Sequence, residues 1–224
     1  MDGTITIAHR GYGDEIIQNT KQAFENALID EFDIIETDIQ LCSTGEIVII
    51  HDIHLNGKFI KDLTLKELKD NNSSILTISD LFNIENIKSK NIYFDLKGEN
   101  FCERSELVEK LFAFLLGSDI DFKKIWIASF NIYQIHEMIR WKMHNYFKIG
   151  LITSNNIDIQ YIEEIKPYLD FISIDFNCLN QSTINILKKN DLLVFTFTCK
   201  NINEYKIIKQ FEVNGICTDI LLSK

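Results

Sequence analysis

The chain has 224 residues, 46% hydrophobic and 25% charged, with a formal net charge of -10. That apolar share can fill a sizeable core, and the dispersed acidity disfavours nucleic acid and anionic membrane surfaces as partners. No apolar run reaches the roughly 18 residues of a membrane span, no signal-peptide pattern is present, and the five cysteines lack metal-ligand spacing, so a soluble, cytoplasmic protein with reduced thiols is expected.

Along the chain, short β-branched or aromatic runs alternate with helical patterns. The runs fall at 4–9, 33–38, 91–95, 125–129, 148–153, 171–176, 193–198 and 215–218. Helices are expected at 20–30, 78–88, 103–117, 132–143, 157–166, 182–190 and 203–211. Eight strands separated by helices imply a parallel sheet, which closed on itself is a (β/α)8 TIM barrel. An open doubly wound sheet satisfies the same periodicity. With a single proline, Pro167, and no linker-like stretch, one domain over 1–224 is expected. The oligomeric state is left open.

One stretch interrupts the alternation. After Asp38 the chain runs to Cys42, turns through Ser43-Thr44-Gly45-Glu46, and returns through Ile47-Val48-Ile49-Ile50-His51-Asp52. Two β-runs around a glycine-containing turn predict a hairpin, within an insertion of hairpin and helix over about 39–75 that follows strand two. A two-residue Thr44-Gly45 loop would set Asp38 opposite His51.

Barrels of this kind carry their chemistry at the C-terminal ends of the strands. Those positions collect His9 and Arg10, then Glu36 and Asp38, then His51 through the hairpin, then Asp95 and Lys97. The strand period of two puts Glu36 and Asp38 on one face, and likewise Tyr93, Asp95 and Lys97. Carboxylates at 36, 38 and 95 suit Mg²⁺ or Ca²⁺. Arg10 matches a phosphate as a fork and Lys97 as a point charge. His9 and His51 are suited to acid and base roles, since imidazole ordinarily titrates near neutrality.

Together Ala8-His9-Arg10-Gly11, Gln18-Asn19-Thr20, Glu36-Thr37-Asp38, Ile50-His51-Asp52, Asp95-Leu96-Lys97, Ser129-Phe130 and Thr218-Asp219 resemble, in order, the motifs of the glycerophosphodiester phosphodiesterase family. The resemblance implies a barrel with an insertion after strand two and His9 and His51 as the acid–base pair. It further implies metal ligands at Glu36 and Asp38 and phosphate contacts from Arg10 and Lys97. The implied reaction converts a small-molecule glycerophosphodiester to an alcohol and glycerol 3-phosphate. The chain departs from the pattern at Ile17-Gln18, where Pro-Glu is usual, at Asp95, where Glu is usual, and at Phe195-Thr196-Phe197-Thr198, which stands for an aromatic-Thr-x-Asn.

Other readings stand beside these. A catalytically weakened barrel binding a phosphorylated ligand, or a related phosphodiesterase of lysophospholipids, would share the motifs. Asn19-Thr20 reads as a helix cap, Ser129 as a buried hydroxyl, Asp219 as a strand-end cap, and Phe130, Phe195 and Phe197 as core. His54, His136 and His144 show no partner signature.

Overall fold

The structure, a computed structural model, describes residues 3–98, 105–155 and 159–221. Cys102, the first residues of the helices expected from 103 and 157, and residues 222–224 lie outside the described residues.

Eight parallel strands form the centre: β1 (Ile5–Ala8), β2 (Ile34–Leu41), β3 (Asn91–Leu96), β4 (Ile125–Ser129), β5 (Lys148–Thr153), β6 (Phe171–Asp175), β7 (Leu193–Cys199) and β8 (Gly215–Thr218). The sheet closes because β1 pairs on both sides, Ile7 against Ile34 of β2 and Ile5 against Gly215 of β8. The open-sheet alternative is thereby excluded. The helices are α1 (Lys21–Ile29), α2 (Leu65–Asn71), α3 (Ile78–Phe82), α4 (Glu106–Leu116), α5 (Ile132–Arg140), α6 (Ile159–Ile165), α7 (Gln181–Lys189) and α8 (Ile202–Ile208). All but α2 and α3 fall singly between consecutive strands; those two share the β2–β3 crossover.

Alternation along each strand sorts side chains into two apolar layers. Ile34, Tyr93 and Phe171 fill the barrel interior, while their neighbours Ile35, Phe94 and Ile172 pack outward against the helices. Inside, Phe171 meets Tyr93, Trp126 and Phe195 at ring-centroid distances of 5.3, 5.3 and 5.1 Å. Gly150 leaves room for that ring: a Cβ there would lie 2.3 Å from Phe171 Cζ. Large and small residues thus interlock to plug the barrel below its mouth.

Three expectations shift. The helix expected over 78–88 ends at Phe82, because Asn83 caps it and Asn86 adopts left-handed backbone (φ 65°) before a 3-10 turn at Ile87–Ser89. That expected over 132–143 stops at Arg140, with Lys142 at φ 55°. In the hairpin, Ile39 faces Ile49 and Leu41 faces Ile47, one residue out of the expected register. The loop holds three residues, Ser43-Thr44-Gly45, closed by Cys42 N–H to Glu46 O at 3.1 Å and Gly45 N–H to Cys42 O at 2.9 Å. Gly45 takes the positive φ of 89° that such a loop requires. Asp38 therefore faces Ile50, whose N–H donates to Asp38 O at 3.1 Å, and His51 lies one residue further on.

Candidate active site

The strand ends build the site from three directions. After β1 the backbone turns through Arg10 (φ 56°) and Gly11 (φ 79°), both left-handed. The turn is tight because a Cβ on Gly11 would sit 2.7 Å from the Ala23 carbonyl carbon and 2.8 Å from its oxygen. It aims Arg10 N–H at Glu36 Oε2 (2.7 Å) and Gly11 N–H at Glu36 O (3.1 Å). Parallel pairing of β2 and β3 sets Asp38 beside Asp95 and Glu36 beside Tyr93. The hairpin then returns His51 to the mouth.

The expected residues come together. His9, Arg10, Glu36, Asp38, His51, Asp95 and Lys97 all line one cleft of about 210 Å³. Glu36, Asp38 and Asp95 are buried, and one carboxylate oxygen from each lies within 4.8 Å of the others. Arg10 Nε lies 2.9 Å from Asp38 Oδ2, and Lys97 Nζ lies 3.3 Å from Asp38 Oδ1 and also pairs with Asp95. Asn19 Nδ2 donates to Asp38 Oδ2 at 2.9 Å.

Their protonation follows from these neighbours. Burial, reinforced by the charges of Asp38 and Asp95, pushes the Glu36 carboxyl well above its ordinary value. Burial also works against ionised Asp38, but Lys97 and Arg10 overcome it and hold that carboxyl below the ordinary range. Asp95 is pushed up to about 7, chiefly by burial, with Asp38 adding to the effect and Lys97 opposing it. For Lys97, burial favours the neutral amine, yet Asp95 and Asp38 outweigh it and raise its pKa.

The donor set fits a divalent cation. Three oxygen-bearing side chains converge, and Asp95 Oδ1 is buried without a hydrogen-bond partner. A buried acceptor of that kind is costly unless something positive meets it. A cation there would offset the burial and the acidic neighbours that push the Glu36 carboxyl upward, and so favour its ionised form. The coordination chemistry of such a set is that of a hard ion.

The imidazoles differ in setting. His9 Nδ1 lies 2.6 Å from Asp219 Oδ1, half-buried where β1 and β8 meet. His51 Nδ1 lies 2.8 Å from Asp52 Oδ1, and Asp52 is exposed. On the far wall Lys97 Nζ stands 4.9 Å from the centroid of Phe130, whose ring meets Phe197 edge-on at 5.7 Å.

The sequence model of the glycerophosphoryl diester phosphodiesterase family matches residues 9–222. The chain belongs to that family. A glycerophosphodiester phosphodiesterase of Caldanaerobacter subterraneus subsp. tengcongensis is 29% identical, over 96% of this chain and 94% of its own length. One from Bacillus subtilis is 24% identical, over 97% of this chain and 84% of its own. The crystal structure of glycerophosphodiester phosphodiesterase from Thermotoga maritima superposes with a TM-score of 0.81 at 20% identity, covering 99% of this chain and 96% of that one. At that identity the likeness bears on the fold, which is the family's barrel. An Oleispira antarctica phosphodiesterase, solved in complex with the product sn-glycerol-3-phosphate, matches with a TM-score of 0.81 at 19% identity over 96% of this chain and 92% of that one.

Within this family member, several further groups surround the cleft. Asp219 does not serve merely as a strand-end cap, since its carboxylate receives His9. Thr20 does cap α1, accepting from Ala23 N–H at 3.4 Å, while the adjacent Asn19 reaches Asp38. Ser129 is the buried hydroxyl expected, bonded to Leu96 O at 3.3 Å and Gln134 Oε1 at 2.5 Å. Phe195 is core, but Phe130 and Phe197 line the mouth. The period of two that joins Glu36 to Asp38 continues to Gln40. Its buried Nε2 donates toward the carbonyls of Ile50, His51 and Asp52 at 2.9, 3.2 and 3.0 Å, holding the segment that carries His51. No described helix is long and apolar enough to cross a membrane.

Proposed function

We propose that this chain hydrolyses glycerophosphodiesters to glycerol 3-phosphate and an alcohol, using a divalent cation and two histidines. The observation that carries the reading is the convergence of two imidazoles, two cationic side chains and three buried carboxylates in one cleft. Relatives named for this activity over nearly the whole chain supply the substrate class.

In this reading Glu36, Asp38 and Asp95 would hold Mg²⁺ or Ca²⁺, which would supply positive charge to offset the negative charge developing on the phosphoryl oxygens. Arg10 and Lys97 bind the phosphate, Arg10 through its planar fork and Lys97 as a point charge. One imidazole takes the proton of the attacking oxygen. The other gives a proton to the alkoxide as its bond to phosphorus breaks. Phe130 and Phe197 offer an apolar wall to the carbon skeleton of the diester.

Incubation with glycerophosphocholine, with and without Mg²⁺ or Ca²⁺, tests the reading by release of glycerol 3-phosphate. Metal-dependent turnover is expected. Saturable binding of glycerol 3-phosphate with no turnover under any metal would instead mark a ligand-binding barrel.

A further inference from the structure

Gln18 lies outside the groups assigned so far, yet its amide is bonded at both ends. Its Oε1 accepts from Arg10 Nη1 at 3.2 Å, and its Nε2 donates to Asp219 Oδ1 at 3.2 Å. The same Asp219 oxygen receives His9 Nδ1 at 2.6 Å. The orientation of the amide is fixed by its neighbours, because a guanidinium only donates and a carboxylate only accepts. Four side chains thus form one line from the phosphate-binding candidate to an imidazole.

Backbone pairing anchors the His9 and Asp219 members of that line. Ala8 and Thr218 are in register on β1 and β8, His9 N–H donates to Thr218 O at 3.2 Å, and Asp219 N–H donates to Cys199 O at 2.9 Å. With Nδ1 committed to Asp219, Nε2 is the ring nitrogen left for the cleft. An amide is also the side chain that suits position 18 here. It accepts from Arg10 and donates to Asp219 at once, whereas a carboxylate would lie 3.2 Å from Asp219 with no donor to offer and a like charge.

We propose that Gln18 and Asp219 are the positioning residues of His9, tying its ring to Arg10 so that the proton-transfer and phosphate-binding groups are held as one unit. This assignment rests on the hydrolytic reading above. Gln18 acts through its two hydrogen bonds, and Asp219 acts by fixing which His9 nitrogen carries the proton. Neither touches substrate.

The test compares Gln18→Met, Gln18→Glu, Asp219→Asn and the double variant Gln18→Met/Asp219→Asn, all metal-saturated, on glycerophosphocholine. Gln18→Met should lower kcat and raise KM, because both bonds are lost. Gln18→Glu should lower kcat with KM near the parent, because the bond to Arg10 survives. Asp219→Asn should lower kcat by about tenfold or more, given that an ångström of misplacement costs on the order of 10²-fold. The double variant should lose no more than the worse single one, as groups in one network do. Melting temperatures should stay near the parent's. In parallel, ¹⁵N NMR of the histidine-labelled protein, with His9 assigned by His9→Gln, should show His9 protonated at Nδ1 in the parent and that preference lost in Asp219→Asn. Lowered melting temperatures with unchanged kcat and an unchanged His9 spectrum would overturn the assignment, as would fully multiplicative losses. If the parent hydrolyses no glycerophosphodiester, the hydrolytic reading fails by itself, and the NMR comparison, extended to Gln18→Met, still decides whether Asp219 and Gln18 position His9.

Discussion

Asp38 and Asp95 are in register on neighbouring parallel strands, yet their carboxyls are driven in opposite directions. Asp38 is met by Arg10, Lys97 and Asn19 and stays ionised. Asp95 shares Lys97 but has one buried oxygen with no partner, and burial beside Asp38 lifts it to about 7. One acid is saturated with positive neighbours and the other is left short of them. That imbalance, with Glu36 pushed up beside them, is what a divalent cation would correct.

Metal removal should therefore abolish turnover and lower thermal stability. Mg²⁺ or Ca²⁺ should restore both, with a melting temperature that rises with metal concentration, since a ligand that binds only the folded state stabilises it by mass action. Calorimetric titration separates the ligands: Asp95→Ala should weaken binding, and Asp95→Glu, one methylene longer, should equal or exceed the parent. An Asp95→Ala protein that binds metal as tightly as the parent removes Asp95 from the ligand set.

The pH dependence of the metal-free protein has a defined sign. Unfolded aspartate titrates near 3.9, while Asp95 in the fold titrates at about 7. Between those values the folded state keeps a proton that the unfolded state has lost, so stability falls as pH rises through the window. Asp38, whose pKa is lowered, contributes oppositely, with stability that is lost only as pH falls below the ordinary aspartate range. Melting temperatures measured between pH 4.5 and 7.5 (roughly the Asp95 window) should drop more steeply for the parent than for Asp95→Asn in chelator. Parallel curves for the two proteins would show that Asp95 does not hold that proton.

The barrel was legible because eight Ile-, Val- and Phe-rich runs alternate with helical stretches, and closure needed only the pairing of β1 with β8. The seven candidate residues were legible because strand ends and a period of two put them in one place. The hairpin register was not. Thr44-Gly45 looks like a two-residue turn, and only the hydrogen bonds of Cys42 reveal that Ser43 belongs to the loop. Gln18 and Asp219 were obscured for a different reason. Residues so far apart in sequence meet only when the barrel closes, so no local pattern links Gln18 to Asp219 or Asp219 to His9. Gln40 was within reach, since it extends the Glu36, Asp38 series by two.

Gln40 yields a prediction of its own. Gln40→Leu removes a buried donor from three carbonyls, and a buried polar group left without its partner costs about 1–3 kcal/mol. Urea unfolding should register a loss of that size. kcat should fall as well, because the carbonyls belong to the segment that presents His51. A variant with lowered stability but full kcat would mean that His51 holds its place without Gln40.

The two histidines carry the sharpest expectation. His9 comes from the β1 end, His51 from beyond the hairpin, and both line the cleft that holds Arg10 and the three carboxylates. Removing a general acid or base typically costs ~10²–10⁴-fold in rate. His9→Ala and His51→Ala should each lose kcat on glycerophosphocholine within that range, with circular dichroism unchanged. His136 sits exposed on α5, where its ring meets Tyr161 at the hydroxyl, 3.4 Å away. His136→Ala should keep parent kcat and serves as the control. A diester whose leaving group is a phenolate needs little protonation, so it should rescue whichever variant lacks the acid and leave the other impaired. His9, with its ring held by Asp219 where β1 meets β8, and His51, on a more exposed segment, differ enough for that rescue to be one-sided. Near-parent kcat in both alanine variants on the natural diester would remove the acid–base assignment and, with it, the main support for a two-histidine phosphodiesterase.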